Sequence, residues 1–251
     1  SLLNREKTEI GININHKQSL GLQHSMSNNR AFDAMNNATK DMDIFRGDID
    51  QLYNQLLSTA SHRSGVSPSD IEKAMDMIAY HESKGKVDSK QELGGGAIGR
   101  GRGLFQYEIS HNGKQGAGRS AMNRLYHYMG GSLASGVEPS NLPDWMLAYF
   151  PRNPNTKRRD ATLVDVDFSN LSAKQQKILF MADKLMAKHD SFEGISTNHK
   201  ELSKWWLKNH NKTAGSEVPK RLASFKRDMD DYPDDKVNKE MGIIPDTSKR
   251  Y

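Results

Sequence analysis

The 251-residue chain contains no cysteine. That absence excludes thiol catalysis, disulfide scaffolds and cysteine-ligated zinc or iron–sulfur centres, and leaves the redox compartment open. No run of about 18 apolar residues occurs and no basic-then-apolar leader opens the chain, so neither membrane insertion nor standard secretion is expected. There is no G-x-S-x-G elbow and no P-loop, which leaves serine hydrolases and nucleotide hydrolases without support. His189, His199 and His210 stand ten and eleven residues apart, with no H-E-x-x-H or other ligand layout, so no metal is expected. No internal repeat is evident either, which argues against an array of wall-binding repeats.

What the chain does carry is polar and mildly basic. Mean hydropathy is −0.80 and the sequence pI is about 9.2. Lys and Arg outnumber Asp and Glu by 36 to 31. Such a balance suits an anionic partner, whether cell-wall polymer, nucleic acid or membrane surface. Residues 1–40, rich in Asn, Ser, Gln and His, read as a polar arm with a short helix from about Asn29 to Thr39. Over 41–60, Phe45, Ile49, Leu52 and Leu56 recur at helical spacing, and Ser61 to Gly65 reads as the break. A core helix is the favoured reading of that segment, a partner-binding helix the alternative. Residues 61–230 form the expected main domain, and 231–251 a polar tail.

The organising stretch runs from Tyr80 to Glu108, YHESKGKVDSKQELGGGAIGRGRGLFQYE. Ser67-Pro68 predicts the start of a helix, and Ile71, Ala74, Met75 and Ile78 mark its buried stripe. Glu82 falls on the same stripe, in the last turn before Gly85, where the helix dipole disfavours a carboxylate. Burial and dipole together favour the protonated acid, which a proton donor near neutral pH requires. A lone glutamate is usually solvent-exposed, so the residues downstream decide the matter. Glu82-Ser83, a glycine-rich linker, and Gly103-Leu104-Phe105-Gln106 follow in order, with 24 residues from Glu82 to Gln106.

That arrangement resembles the lysozyme-like and lytic transglycosylase superfamily, with spacing similar to goose-type lysozymes, over about thirty residues. The resemblance implies a mainly α fold with some β structure: a lysozyme-like domain with the glycine-rich segment as a loop or small hairpin beside the catalytic helix. It implies Glu82 as the acid and Ser83 and Gln106 as cleft residues supporting it. Glu108 matches the position of an acidic residue that places the attacking water, as Glu rather than Asp. Glycoside hydrolysis generally needs such a second carboxylate. Transglycosylases dispense with it, because the muramic 6-hydroxyl attacks instead. An exposed loop glutamate is the equally open alternative for Glu108. No cofactor is implied.

Gly94 to Gly99 also forms a literal G-x-G-x-x-G, but no buried strand precedes it and no crossover helix follows, so the dinucleotide reading fails. Arg100 and Arg102 are candidates for holding an anionic group. Tyr107, Tyr126 and Tyr128 are candidate stacking surfaces for sugar rings, the last two being better placed as core. Further helices are expected over Arg119–Met129, over a short stretch between Pro143 and Phe150, from the Ser172/Gln175 capping box onward, around Leu202–Trp206, and from Val218-Pro219. Of Trp205 and Trp206, one should anchor core and the other could edge a glycan groove.

The expected activity is cleavage of the MurNAc-β-1,4-GlcNAc bond of peptidoglycan glycan strands. The expected setting is a bacteriophage: a virion protein opening the wall and docked to other virion proteins through the arm, or an endolysin. The rival expectation is an inactive structural or nucleic-acid-associated virion protein, suggested by the Arg-Gly alternation and the Lys157-Arg158-Arg159 cluster.

Overall fold

The computed structural model describes residues 49–160, 164–188 and 191–233. The arm over 1–40, the first residues of the 41–60 segment, the tail beyond 233 and His189 lie outside the described residues. Among those described, seven α-helices and one three-stranded antiparallel sheet make a mainly helical fold.

Helix α1 (Ile49–Ser64) buries Leu52, Leu56 and Ala60 completely. It runs past the expected break at Ser61 to Ser64, and its terminal serines bond local carbonyls. Ser64 Oγ donates to Ala60 O at 2.8 Å and Ser61 Oγ to Val66 O at 2.7 Å. The stop is Gly65, at φ +70°. Helix α2 (Pro68–Ser83) starts where its cap predicts, with Ser67 Oγ accepting from Asp70 N–H at 3.1 Å. Ile71, Ala74, Met75 and Ile78 are all fully buried. Lys84 and Gly85, at φ +54° and +74°, turn the chain out of the helix just beyond Glu82.

The glycine-rich segment is a hairpin and a half. Strands β1 (Lys90–Glu92) and β2 (Ile98–Arg102) pair across a 3₁₀ turn at Gly94–Gly96, and β3 (Tyr107–Glu108) pairs with β2. Gly103 to Gln106 is the turn between β2 and β3. Its first residue must be glycine: φ is +70°, and a Cβ would sit 2.2 Å from Gln176 Oε1. Phe105 turns inward and stacks on Phe180 at 4.3 Å, fastening the turn to the core.

Helices α3 (Ala117–Tyr128) and α4 (Asp144–Leu147) follow, then α5 (Ala173–Met186), opened by a complete Ser172/Gln175 capping box. Helix α5 is the central rod. Ile178 to Ala182 are fully buried in succession, as expected of a helix packed on all sides, and it lies against both α1 and α3. Arg63 of α1 donates to Leu185 O at 2.8 Å. Helix α6 (His199–Trp206) continues into one π-helical turn, Leu207–Asn211, and α7 (Val218–Asp230) completes the described chain. No helix among the described residues is long and apolar enough to cross a membrane.

Candidate active site

The end of α2, the sheet, α3, α5, the π turn and α7 surround an open cavity of about 570 Å³, a size typical of small-ligand sites. Glu82, Gln106, Tyr107 and Glu108 all line it. The structure therefore brings four of the sequence-predicted site residues to one pocket.

Glu82 is only 15% exposed at its side chain. Burial pushes its carboxyl up from 4.5 to about 7, against the opposing influence of the Trp206 hydrogen bond and the Arg221 and Lys184 charges. Trp206, itself 1% exposed, donates its indole N–H to Glu82 Oε1 at 2.7 Å. His210 Nε2 approaches the same oxygen at 3.7 Å but bonds Phe105 O at 2.8 Å. A carbonyl can only accept, so Nε2 carries the hydrogen. Burial drives the His210 pKa down to about 3, so the ring is neutral and its approach to Glu82 is not an ion pair. With Oε1 already accepting from Trp206, the acid proton belongs on Oε2. A neutral carboxylic acid with a fixed orientation is a proton donor by construction.

The base of the pocket is a buried charge network. Burial raises the Asp183 carboxyl, but Lys184, Arg124 and the Tyr107 hydrogen bond more than offset this and hold it at about 2. Lys184 Nζ lies 2.9 Å from Asp183 Oδ2 and donates to Asn209 O at 2.7 Å, tying α5 to the π turn. Tyr107 donates its hydroxyl to Asp183 at 2.7 Å and stacks on Phe168 at 4.3 Å. It is 3% exposed, so its ring face belongs to the core.

The remaining predicted residues are placed as follows. Glu108 is exposed on β3 and ion-paired with Arg100. Gln106, at φ +50°, donates from Nε2 to Gly103 O at 2.9 Å and to Ser89 Oγ at 3.2 Å. Its Oε1 is buried with no hydrogen bond. Ser83 lies beneath the site, with Oγ 2.9 Å from Ala79 O and 3.0 Å from Leu104 O, clamping the helix end to the Gly-Leu-Phe-Gln turn. Arg102 and Tyr126 do not line the pocket. Arg102 is buried, donates to Gly99 O and Gly101 O, and lies 3.5 Å from Asp167. Tyr126 is a core side chain, packed on Phe150, with its hydroxyl on Val137 O at 3.2 Å. Trp205 and Trp206 are both buried, so neither edges a groove.

The sequence offers Trp206 as a core anchor or groove edge and not as the partner of Glu82, and it does not mark His210, Gln176 or the Asp183-Lys184 pair as site residues. Of the last three only the pair leaves a signal: Asp183 and Lys184 fall three and four residues after Phe180, on the face of a helix that should be apolar. Gln176, fully buried, accepts from Leu104 N–H at 2.7 Å and donates to Val87 O and Leu171 O. It holds the turn from beneath. Among the described residues no group of three or more His, Asp or Glu is placed to hold a metal ion.

In comparisons with known proteins, the chain matches no family model, no curated protein and no solved structure.

Proposed function

We propose that this chain is a lysozyme-like enzyme that cleaves the MurNAc-β-1,4-GlcNAc bond of peptidoglycan glycan strands. One observation carries the reading: Glu82 lines an open cavity as an acid whose carboxyl titrates at about 7. Glu82 protonates the glycosidic oxygen as the bond to the anomeric carbon breaks, and its carboxylate then takes the proton of the attacking nucleophile. The Gly-Leu-Phe-Gln turn, bonded to the same helix end through Ser83, lines the cleft with Phe105 and Gln106.

The ion pair between Glu108 and Arg100 favours attack by the muramic 6-hydroxyl over attack by water. A carboxylate engaged by Arg100 has less of its oxygen surface free to accept from a water, and the intramolecular hydroxyl needs no second carboxylate. The test is digestion of purified peptidoglycan by wild type, Glu82→Gln and Glu108→Gln, with products read by mass spectrometry. Anhydromuramic ends made by wild type and Glu108→Gln, and absent with Glu82→Gln, are expected. Reducing ends that require both glutamates would make the enzyme a hydrolase. Equal release by wild type and Glu82→Gln would end the catalytic reading.

A further inference from the structure

The cavity is electrically lopsided. One cation that lines it, Arg221, projects from α7 on the Glu82 side. It has no ion pair among the described residues, and its charge is felt by both Glu82 and His81. Lys212, on the turn after the π helix, also lines the cavity. Two of the lining carboxylates are matched by cations other than Arg221: Asp183 faces Lys184 and Arg124, and Glu108 faces Arg100. Glu82, the pocket carboxylate on which the Arg221 charge acts, is neutral below about pH 7. A cleft that binds only neutral sugar has no use for an exposed guanidinium held open beside its acid. An exposed guanidinium costs little to hold and offers a planar, two-pronged donor set suited to a carboxylate.

We infer that Arg221 forms a subsite for a carboxylate carried by the glycan strand next to the bond that is cut. This deepens the proposed function and rests on it. Two sources carry that chemistry: the stem peptide, and the lactyl group once a stem has been removed. By engaging a group attached to the muramic residue, the subsite sets which sugar lies over Glu82 and so discriminates peptidoglycan from uncharged chitin-like strands.

The experiment measures binding of the full chain carrying Glu82→Gln, which removes turnover, to insoluble peptidoglycan in three forms: untreated, stripped of stems by an amidase, and capped at its carboxylates with carbodiimide and ethanolamine. Capping is expected to weaken binding about tenfold, the worth of one charge-assisted hydrogen bond. Adding Arg221→Gln, an exposed substitution, should weaken binding to the untreated wall by a similar factor and to the capped wall hardly at all. Tight binding to the stripped wall assigns the lactyl carboxylate, and its loss assigns the stem. Binding that ignores capping, an equal loss for Arg221→Gln on capped and untreated wall, or displacement from the wall by duplex DNA would each overturn the subsite. Digestion of the untreated wall by wild type separates the two claims: turnover without carboxylate dependence removes only the subsite, and carboxylate-dependent binding without turnover removes only the catalytic reading.

Discussion

Trp206 reaches across 124 residues of chain to donate its indole N–H to Oε1 of Glu82 at 2.7 Å. The bond stabilises the ionised carboxylate, so it opposes the upward push of burial while fixing which oxygen carries the proton. Trp206→Phe keeps an aromatic body against Phe225, which lies 5.2 Å away, and removes only the donor. Glu82 should then hold its proton more tightly. The alkaline limb of kcat is expected to move to higher pH by about one pH unit. The maximum should fall about tenfold, because the carboxyl is free to rotate. A pH–rate profile measured on soluble glycan strands checks both, and an unmoved or lowered limb would show that Trp206 is packing alone.

The same acid carries a stability cost whose sign is fixed. In the folded chain Glu82 titrates at about 7 against an ordinary 4.5, so between those values the native state binds more protons than the unfolded one. Stability is therefore full below about pH 4.5 and is lost as pH rises through 7, by about 3 kcal/mol. Glu82→Gln removes that slope. At pH 8 the variant should be more stable than wild type by about 2 kcal/mol, allowing for an amide with imperfect partners, and the difference should vanish near pH 4. Urea denaturation at the two pH values decides it. A variant less stable at pH 8 would mean that Glu82 is not a buried acid.

How much of this was readable beforehand depends on whether the determinant is local. The cap at Ser67, the buried stripe of α2, the capping box at Ser172 and the placement of Glu82 on the apolar side follow from spacing and short-range hydrogen bonds, and the structure carries them as expected. The end of α1 lies at Ser64 rather than Ala60, with Gly65 at φ +70° as its stop, a terminus that hydrophobic periodicity does not encode. The partners of Glu82 were illegible for a different reason. Trp206 and His210, on α6 and the π turn, meet it only through tertiary side-chain contacts, and sequence spacing gives no distance across them. Arg102 was misplaced by the same gap. An arginine in a glycine-rich stretch reads as exposed, yet Asp167, 65 positions on, draws it inward to 3.5 Å.

Gly103 tests the turn that walls the cleft. Alanine there must adopt φ +70°, and its Cβ would meet Gln176 Oε1 at 2.2 Å and Phe168 Cβ at 2.8 Å. The backbone and the crowding together should cost about 2–4 kcal/mol. Gly113→Ala is the matched control: φ is +74° but nothing lies within 4 Å, so only the backbone cost of about 1 kcal/mol applies. Chemical denaturation of the pair separates strain from collision. Equal losses would mean that Gln176 moves aside without penalty.

Asp183 should set the acid limit of the fold. Its carboxyl titrates at about 2 rather than 3.8 because Lys184, Arg124 and Tyr107 outweigh burial, so between those values the native state binds fewer protons than the unfolded one. The stability it contributes is complete above about pH 4 and drains away as pH falls toward 2. Asp183→Asn leaves Lys184, 2% exposed, without the carboxylate it faces, a change that costs about 3–5 kcal/mol at neutral pH. The variant should also lose part of the wild-type acid transition, so that the two melting temperatures converge between pH 4 and pH 2. The amide leaves one oxygen for the three donors Tyr107, Arg124 and Lys184, which weakens the hold on β3 and with it Glu108. If cleavage depends on Glu82 alone, the folded fraction of Asp183→Asn keeps its activity per molecule even as its stability falls. A loss of turnover beyond the loss of folded protein would instead make the buried pair a positioning element of the site.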